Sequence, residues 1–251
     1  VEKPLTLKVE HAEELVRLAR EKKRILMVGH LLIYHPAVQF LKRLVEDGAL
    51  GEVHYIYSQR VNLGRVRRDE NALWSFAPHD ISVMLHLLES EPLDVAARGA
   101  AFLQSGVEDV VFVDLRFPSG KIAHLHVSWL DPHKVRRFTV VGSQKMAMFD
   151  DMEASEKIRV YDKGVDRGGE VLPYGDQLTV RSGDIWTPKL ALQEPLRLEC
   201  QHFIDCVAER RTPITDGVAG LRVVKVLAAA QASLERGGAP VAVAPAGQEV
   251  A

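Results

Sequence analysis

The sequence is poor in the features that mark secreted, membrane-spanning or nucleic-acid-binding proteins. It has two cysteines among 251 residues. These are Cys200 and Cys206, which at this spacing on a predicted helix point to different faces, so we expect reduced thiols in a cytoplasmic protein. The formal net charge of −2 gives no electrostatic reason to expect nucleic acid or an anionic membrane as a partner. The longest apolar runs, such as Ile25 to Val28, are far shorter than a membrane span.

A metal-ligand spacing is also missing from the sequence. His124 and His126 alternate with apolar residues on a predicted strand and would share one of its faces. Because no third ligand stands at a matching spacing, we interpret them as sheet-surface residues and predict no metal.

The composition is that of a globular protein with an ordinary core. Apolar residues make up 47% of the chain and charged residues 26%. The length allows one large core or two modest ones.

The first fifty residues have the pattern of the end of a doubly wound α/β unit. Helical periodicity predicts a helix over Lys8 to Lys23, and the apolar run Arg24 to Gly29 is typical of a strand buried on both faces. Pro36 begins a second helix that Gly48 closes. We predict that residues 1–50 form the C-terminal part of a Rossmann-type nucleotide-binding domain.

The remaining residues, 51–251, predict an α+β domain with an open, mainly antiparallel sheet. A strand over Glu52 to Val61 leads into a polar loop over Arg60 to Asn71. The next helix is expected to take Ser75 as its N-cap and Pro78 in its first turn. Turn residues then separate a series of strands, at Val95 to Leu103, Val107 to Phe117, Lys121 to Trp129, Arg136 to Val141 and Met146 to Phe149. Lys163 to Thr187 is predicted to be a long loop, and two helices, Leu196 to Arg210 and Asp216 to Glu235, close the chain and can pack back on the first domain.

Two residues could move a proton at a substrate hydroxyl. Lys3 precedes a proline, which favours an extended backbone, and desolvation at a strand end lowers the pKa of a lysine. His79 follows Pro78 at the start of an apolar helix and could accept or donate a proton. Taken alone, Lys3 and His79 are each better explained by a structural role, and for Asp80 we also favour the structural role of a charge near a helix N-terminus.

A cluster of basic residues precedes this helix. Guanidinium groups bind carboxylates and phosphates bidentately, which favours an anionic substrate, although a solvated loop balanced by Asp69 and Glu70 has the same composition. Trp74 could stack on a nicotinamide or a sugar, or pack a domain junction. The residues of this cluster are the basic Arg60, Arg65, Arg67 and Arg68, with the polar Asn62 among them.

Taken together, these segments resemble the family of glucose–fructose oxidoreductase and myo-inositol dehydrogenase (Gfo/Idh/MocA). The resemblance runs through nearly the whole chain. It is carried by Glu2-Lys3-Pro4-Leu5, Val28-Gly29-His30 with Tyr34-His35-Pro36-Ala37, Leu44 to Val53, Trp74 to Ile81, and Asp114 to Asp131 with Val141-Gly142-Ser143. It implies an NAD(P)-dependent dehydrogenase of sugars or cyclitols, with a Rossmann domain and an α+β domain that also forms homo-oligomer contacts.

The resemblance also implies roles for particular residues. Lys3 and His79 would be the catalytic pair, with Arg60, Asn62 and Arg65 beside them at the substrate. On the cofactor side would lie Glu2, Lys3, Pro4, Tyr34 and Trp74. Many members carry an aspartate one turn before the histidine, where this chain has Ser75, which puts an Asp-His dyad in doubt. Trp74 to Asp80 and Glu194-Pro195-Leu196 look most like the branch that oxidises C3 of UDP-N-acetyl-amino sugars or their uronic acids.

One expected feature of the family has no counterpart. No G-x-G-x-x-G occurs in the sequence, although this motif cradles the cofactor's pyrophosphate in Rossmann domains. We therefore expect the chain to be an N-terminally truncated fragment, inactive alone, and leave NAD and NADP open as cofactor. Two alternatives remain: a cyclitol or free-sugar dehydrogenase, and a non-enzymatic sensing or dimerisation member of the same fold.

Overall fold

The structure, a computed structural model, describes residues 1–166, 179–191 and 193–244. A 3₁₀ turn at Leu31–Tyr34 accompanies five α-helices in this part of the chain. The helices are α1 Val9–Glu21, α2 Pro36–Glu46, α3 Ala72–Leu88, α4 Pro195–Glu209 and α5 Gly217–Glu235. The strands are β1 Val53–Val61, β2 Asp94–Ala100, β3 Val110–Arg116, β4 Ile122–Ser128, β5 Val135–Gly142, β6 Met146–Asp150, β7 Ile158–Asp166, β8 Thr179–Trp186 and β9 Val241–Ala242.

All nine strands join one open sheet, in the order β8-β7-β6-β5-β1-β4-β3-β2-β9. β1 pairs with β4 in parallel, and every other pairing among the described strands is antiparallel. The predicted fold class, a Rossmann-type remnant with a mainly antiparallel open sheet, is confirmed.

The two faces of the sheet differ in what covers them. Side chains alternate between the faces of a strand, and on β4 Ala123, Leu125 and Val127 are buried whereas Ile122 and His124 are exposed. The buried face packs against α3 and α5 in the large core, which includes Ile81. In the part of the chain that the structure describes, the other face of β4 is open, as predicted for His124 and His126.

The first thirty residues pack on α5 rather than forming a continuous strand. Between Arg24 and Gly29 only single bridges form among the described residues, Met27 with Asp216 and Glu2 with Gly29. The prediction of a continuous strand over this run was therefore wrong, because the run pairs with each of its two neighbouring segments at one residue only. The run is nevertheless buried at Val28, in a small second core.

Close approach of α5 depends on two glycines. A Cβ added at Gly217 would lie 2.6 Å from the Leu26 side chain, and one at Gly220 would lie 2.6 Å from Val28. Because real Cβ atoms do not approach other atoms so closely, larger residues here would push α5 away from the N-terminal segment. This helix is long and apolar enough to cross a membrane by length and composition, but 61% of its apolar window is buried in the fold. It packs as a core helix against α1, α3 and β2.

The helix α3 begins a full turn earlier than predicted. Asn71 is its N-cap and accepts a hydrogen bond from the Trp74 N–H at 3.2 Å, so the predictions of Ser75 as N-cap and of Pro78 in the first turn were wrong. Asp80 consequently lies in the body of the helix, and its predicted role near the N-terminus was also wrong. An asparagine caps as well as a serine does, and Pro78 misleadingly indicated a later start.

The predicted long loop over Lys163 to Thr187 is also corrected. Its ends belong to β7 and β8, which pair with each other at the edge of the sheet, while residues 167–178 lie outside the described part. These strands contain glycine and polar residues and show no apolar alternation. An exposed hairpin does not require such alternation, so the sequence pattern does not predict it. The 3₁₀ turn and the short β9 were not predicted.

Because one face of the sheet is buried and the other exposed, substitutions at neighbouring positions of β3 should lower the stability of the protein by different amounts. Leu115 is fully buried, and the Asp114 side chain is 68% exposed. We expect Leu115→Ala to lower the free energy of unfolding by about 2–5 kcal/mol, and Asp114→Ala by less than about 1 kcal/mol. Chemical denaturation of the two variants measures this difference, and equal losses would contradict the assignment of faces.

Candidate active site

Lys3 is held against the middle of the molecule by main-chain pairing of the N-terminal segment. The Gly29 N–H donates to the Val1 carbonyl at 2.8 Å, and Glu2 pairs with Gly29 in parallel. Lys3 then precedes a cis peptide bond to Pro4. Its Nζ donates to the main-chain carbonyl of Ser75 at 2.9 Å, across 72 positions of sequence.

The carbonyl that Lys3 binds lies in the turn of α3 that leads to His79. Pro78 has no N–H, so it cannot supply the helical hydrogen bond to the Trp74 carbonyl, and its ring crowds that carbonyl. Lys3 binds the next carbonyl along. His79 follows one turn later, with its Nδ1 buried and without a hydrogen-bond partner among the described residues. The structure therefore brings together the two residues predicted as the catalytic pair.

Burial makes both groups easier to deprotonate. The pKa of Lys3 is lowered chiefly by burial; Glu70 opposes this shift, and Arg67 adds to it. The pKa of His79 lies well below 6.5, again chiefly because of burial and then because of the nearby charges of Arg60 and Lys3. His79 is therefore neutral at pH 7 and can accept a proton.

Arg60 lies deeper than the substrate-binding prediction implies. It is 8% exposed on the inner face of β1, and its Nε donates to Asp80 Oδ2 at 2.5 Å. A second contact joins its Nη2 to Asp80 Oδ1 at 3.4 Å. Since Asp80 is buried on α3 directly after His79, this ion pair ties the helix to the sheet and directs a positive charge at the imidazole.

The basic loop after β1 borders the Lys3 side of the site. Arg67 pairs with Glu70 at 2.9 Å, and both influence the pKa of Lys3. Asn62 is half-buried and its main-chain N–H donates to the Ser128 carbonyl at 3.1 Å. Arg65 and Arg68 are exposed.

Two predicted cofactor residues are engaged elsewhere. The Tyr34 hydroxyl shares a 2.9 Å hydrogen bond with Thr215, and its ring packs at a tilt of 49° against His202 with the centroids 5.3 Å apart. Burial raises the pKa of Tyr34 to about 12. The indole N–H of Trp74 donates to Gln231 of α5 at 3.2 Å, which is the junction-packing arrangement. Their roles toward a cofactor stay predictions.

Sequence reasoning missed His30. It is 1% exposed, and neither ring nitrogen has a hydrogen-bond partner among the described residues. Burial and then the charge of Lys3 lower its pKa to about 4, and His30 in turn lowers the pKa of His79. Its sequence signals were its place directly after the buried run that ends at Gly29 and its presence in the Val28-Gly29-His30 segment of the family resemblance, neither of which indicated a role.

Two segments of the chain match the same group of oxidoreductases. Residues 38–148 match the GFO/IDH/MocA C-terminal domain, and residues 1–30 match the oxidoreductase family with an NAD-binding Rossmann fold. The chain belongs to the GFO/IDH/MocA family. Its members are NAD-binding oxidoreductases, which confirms the predicted cofactor class and the resemblance.

Similar proteins act on different sugars and cyclitols. UDP-N-acetylglucosamine 3-dehydrogenase of Acidithiobacillus ferrooxidans is 27% identical over 94% of this chain and 72% of its own. Its solved structure superposes with a TM-score of 0.76 at 26% identity, covering 94% of this chain and 71% of that one. The scyllo-inositol 2-dehydrogenase (NAD(+)) of Bacillus subtilis is 25% identical over 96% of this chain and 69% of its own.

A solved structure at lower identity shares the fold. The inositol dehydrogenase homolog of Azotobacter vinelandii, complexed with NADH and myo-inositol, has a TM-score of 0.73 at 16% identity, covering 96% of this chain and 70% of that one.

The residues present fit one end of a dinucleotide. In open α/β sheets, ligands bind at the edge where parallel segments end. Glu2 and Gly29 pair in parallel, and the next residue of each segment is Lys3 and His30 respectively. The unpartnered ring nitrogens of His30 and His79 add buried polar atoms that could face a nicotinamide or a substrate. A glycine-rich phosphate cradle does not occur in the 251 residues.

The buried histidine predicts that the protein loses stability in acid. Its folded pKa of about 4 lies below the ordinary value of 6.5, so between these values the unfolded state binds more protons and the free energy of unfolding falls as the pH falls. At about 1.4 kcal/mol per pKa unit, His30 alone removes on the order of 3 kcal/mol between pH 7 and pH 4. We expect His30→Gln to flatten this dependence in urea titrations.

The control is His11→Gln, at an exposed histidine on α1. It should leave the pH dependence as it is in the unmodified protein. An unchanged slope in His30→Gln would show that His30 is not buried as a neutral group.

Proposed function

We propose that this chain is part of an NAD(P)-dependent oxidoreductase that oxidises a secondary alcohol of a sugar, at C3 of a nucleotide-linked amino sugar. The observation that carries the proposal is the 2.9 Å hydrogen bond from Lys3 Nζ to the Ser75 carbonyl, one turn before His79. It holds the Lys3 ammonium one turn of α3 away from the neutral imidazole of His79, and both groups have lowered pKa values in a chain of an NAD-binding family.

In this proposal the two residues divide the proton chemistry. A bound nicotinamide would supply the hydride acceptor for the alcohol carbon. His79 takes the hydroxyl proton, because its ring is neutral and its Nδ1 has no hydrogen-bond partner among the described residues. The nearby Arg60 charge favours release of that proton afterwards. Lys3 donates a hydrogen bond to the substrate oxygen and stabilises the charge that develops on it.

Two observations support a nucleotide-linked sugar as the substrate: the arginines of the loop after β1 and the similarity to a known enzyme. Exposed Arg65 and Arg68 can bind phosphates, and Arg67 lies close enough to Lys3 to influence its pKa. A UDP-N-acetylglucosamine 3-dehydrogenase is similar to nearly the whole chain. The similarity to a scyllo-inositol 2-dehydrogenase keeps a cyclitol as the second candidate substrate.

The proposal also assigns the remaining parts. Glu2, Pro4, Tyr34 and Trp74 shape the cofactor side, and Asn62 joins the substrate side. The nucleotide-binding part ends near residue 50, and the protein acts in the cytoplasm, where the free thiols of Cys200 and Cys206 stay reduced.

We expect Lys3→Met and His79→Gln each to lower kcat/KM by roughly 10²- to 10⁴-fold, the usual contribution of an acid–base group. The assay follows nicotinamide reduction by the product of the complete reading frame that encodes these residues. Its substrates are UDP-N-acetylglucosamine, the corresponding uronic acid and myo-inositol, each with NAD and NADP. Exposed residues of the N-terminal segment provide the controls Lys8→Met and His11→Gln, which should keep full activity.

The same panel separates the substrate classes. Arg65→Ala should raise KM for the UDP-sugars and leave turnover of myo-inositol unchanged. Turnover of myo-inositol alone would replace the nucleotide-sugar assignment with the cyclitol one. No turnover of any substrate by the unmodified product would contradict the enzyme proposal and favour a sensing or dimerisation protein.

We further propose that a second copy of this chain covers the open face of the sheet. Apolar and aromatic side chains lie there in register on β1, β3 and β4, with Phe112 stacked on His126 at 4.4 Å and Tyr55 beside Tyr57 at 6.2 Å. Their exposed fractions are 40% for Tyr55, 42% for Tyr57, 43% for Phe112 and 53% for Ile122. An apolar surface of this kind on a sheet is typical of an interface.

Sedimentation velocity tests this interface. The unmodified protein should sediment as a dimer or larger species, and Phe112→Glu should shift it toward monomer because a charge would be buried between the sheets. Leu7→Glu, at an apolar residue that is 70% exposed away from the sheet, should not. A monomeric unmodified protein at micromolar concentration would contradict the proposal.

A further inference from the structure

His30 lines a crevice separate from the candidate active site, and it lies close enough to Lys3 and His79 for their charges to influence one another. The crevice has a volume of about 300 Å³ and opens among the 3₁₀ turn, α3 and the beginning of α5. Its polar lining consists of His30, Ser82, His86, Glu89, Thr215 and Arg222. His30 is therefore the one residue that both lines this crevice and influences the pKa of His79.

The groups along the crevice form a polar path beside α3. Ser82 Oγ donates to the His79 carbonyl at 2.8 Å. His86 follows one turn later, and its Nε2 is buried without a hydrogen-bond partner among the described residues. Beyond it the Glu89 side chain is 73% exposed, so the path ends at solvent.

The charged groups around His30 disfavour a stored proton. Lys3 faces it from the N-terminal segment, and burial together with that charge keeps its ring neutral. His79 on α3 feels the charge of His30, and His86 on the same helix lines the crevice with it. Glu91 pairs with Arg222 at 2.8 Å and Glu89 pairs with Lys42 at 2.7 Å, so each of these carboxylates already has a cationic partner.

We propose that His30 relays the proton taken up by His79 to solvent through this crevice. The inference rests on the proposed oxidoreductase function. The hydroxyl proton of the alcohol passes to His79 as the hydride leaves the same carbon. One ring nitrogen of His30 then accepts a proton while the other releases one into the crevice, and a flip of the ring or return transfer restores the starting tautomer.

This role explains two observations together. A buried imidazole whose ring nitrogens lack protein partners is costly as a structural group, but a relay needs both nitrogens free to exchange protons. A ring that is neutral in both resting tautomers passes a proton on rather than retaining it. His30 acts through His79 and is a relay residue, distinct from the catalytic pair.

Proton exchange of the ring tests the path without any turnover. In protein labelled with ¹⁵N-histidine, we expect the His30 ring nitrogens to average between tautomers and its ring proton to exchange rapidly with solvent despite complete burial. His86→Leu, which blocks the crevice, should slow that exchange, and His11→Leu should not. One fixed tautomer with a slowly exchanging proton would overturn the proposal.

The effect of substitutions at His30 on enzyme turnover is the second test of the proposal. His30→Ala should lower kcat by roughly 10- to 100-fold with little change in KM, a smaller loss than removing His79 itself. Added imidazole should restore much of the rate to His30→Ala but none to His30→Leu, whose side chain fills the space. Loss without rescue, or a proportional rise in KM, would assign His30 a structural role. Lack of turnover in the unmodified protein would instead overturn the proposed function, and the exchange experiment would still decide the relay.

Discussion

The hydrogen bond between the Lys3 ammonium and the Ser75 carbonyl is the contact on which the candidate site depends. It can form only because two separate packing arrangements meet there. Gly217 and Gly220 let α5 approach the N-terminal segment closely, and the buried Arg60–Asp80 pair fixes α3 on the sheet. The site is therefore a junction between the two cores, and its lowered pKa values follow from the burial that this junction creates.

Much of the fold could be predicted from the sequence because its signals are local. Apolar alternation marked β1 to β6, and helical periodicity marked α1, α2, α4 and α5. The misjudged parts depend on contacts distant in sequence. Met27 and Gly29 each pair at one residue rather than along a strand, β7 and β8 form an exposed hairpin that needs no apolar pattern, and the Asn71 cap placed the start of α3 before Ser75.

The candidate site was predictable in part, and for a different reason. Lys3 and His79 stood in segments that resemble the family, so the resemblance supplied what spacing alone could not. Burial could not be predicted, because no local pattern indicates that Arg60 faces inward onto Asp80, or that the Tyr34 hydroxyl bonds to Thr215. His30 was passed over because a single histidine after an apolar run has no partner at a recognisable spacing.

Burial beside α3 lowers the pKa of the Lys3 ammonium. A pH titration of the ¹⁵Nζ signals, with Lys3→Arg to assign the resonance, measures this shift directly. We expect Lys3 to titrate below the ordinary value of 10.5. Titration at or above that value would show that its ammonium is in solvent, and would contradict the site described above.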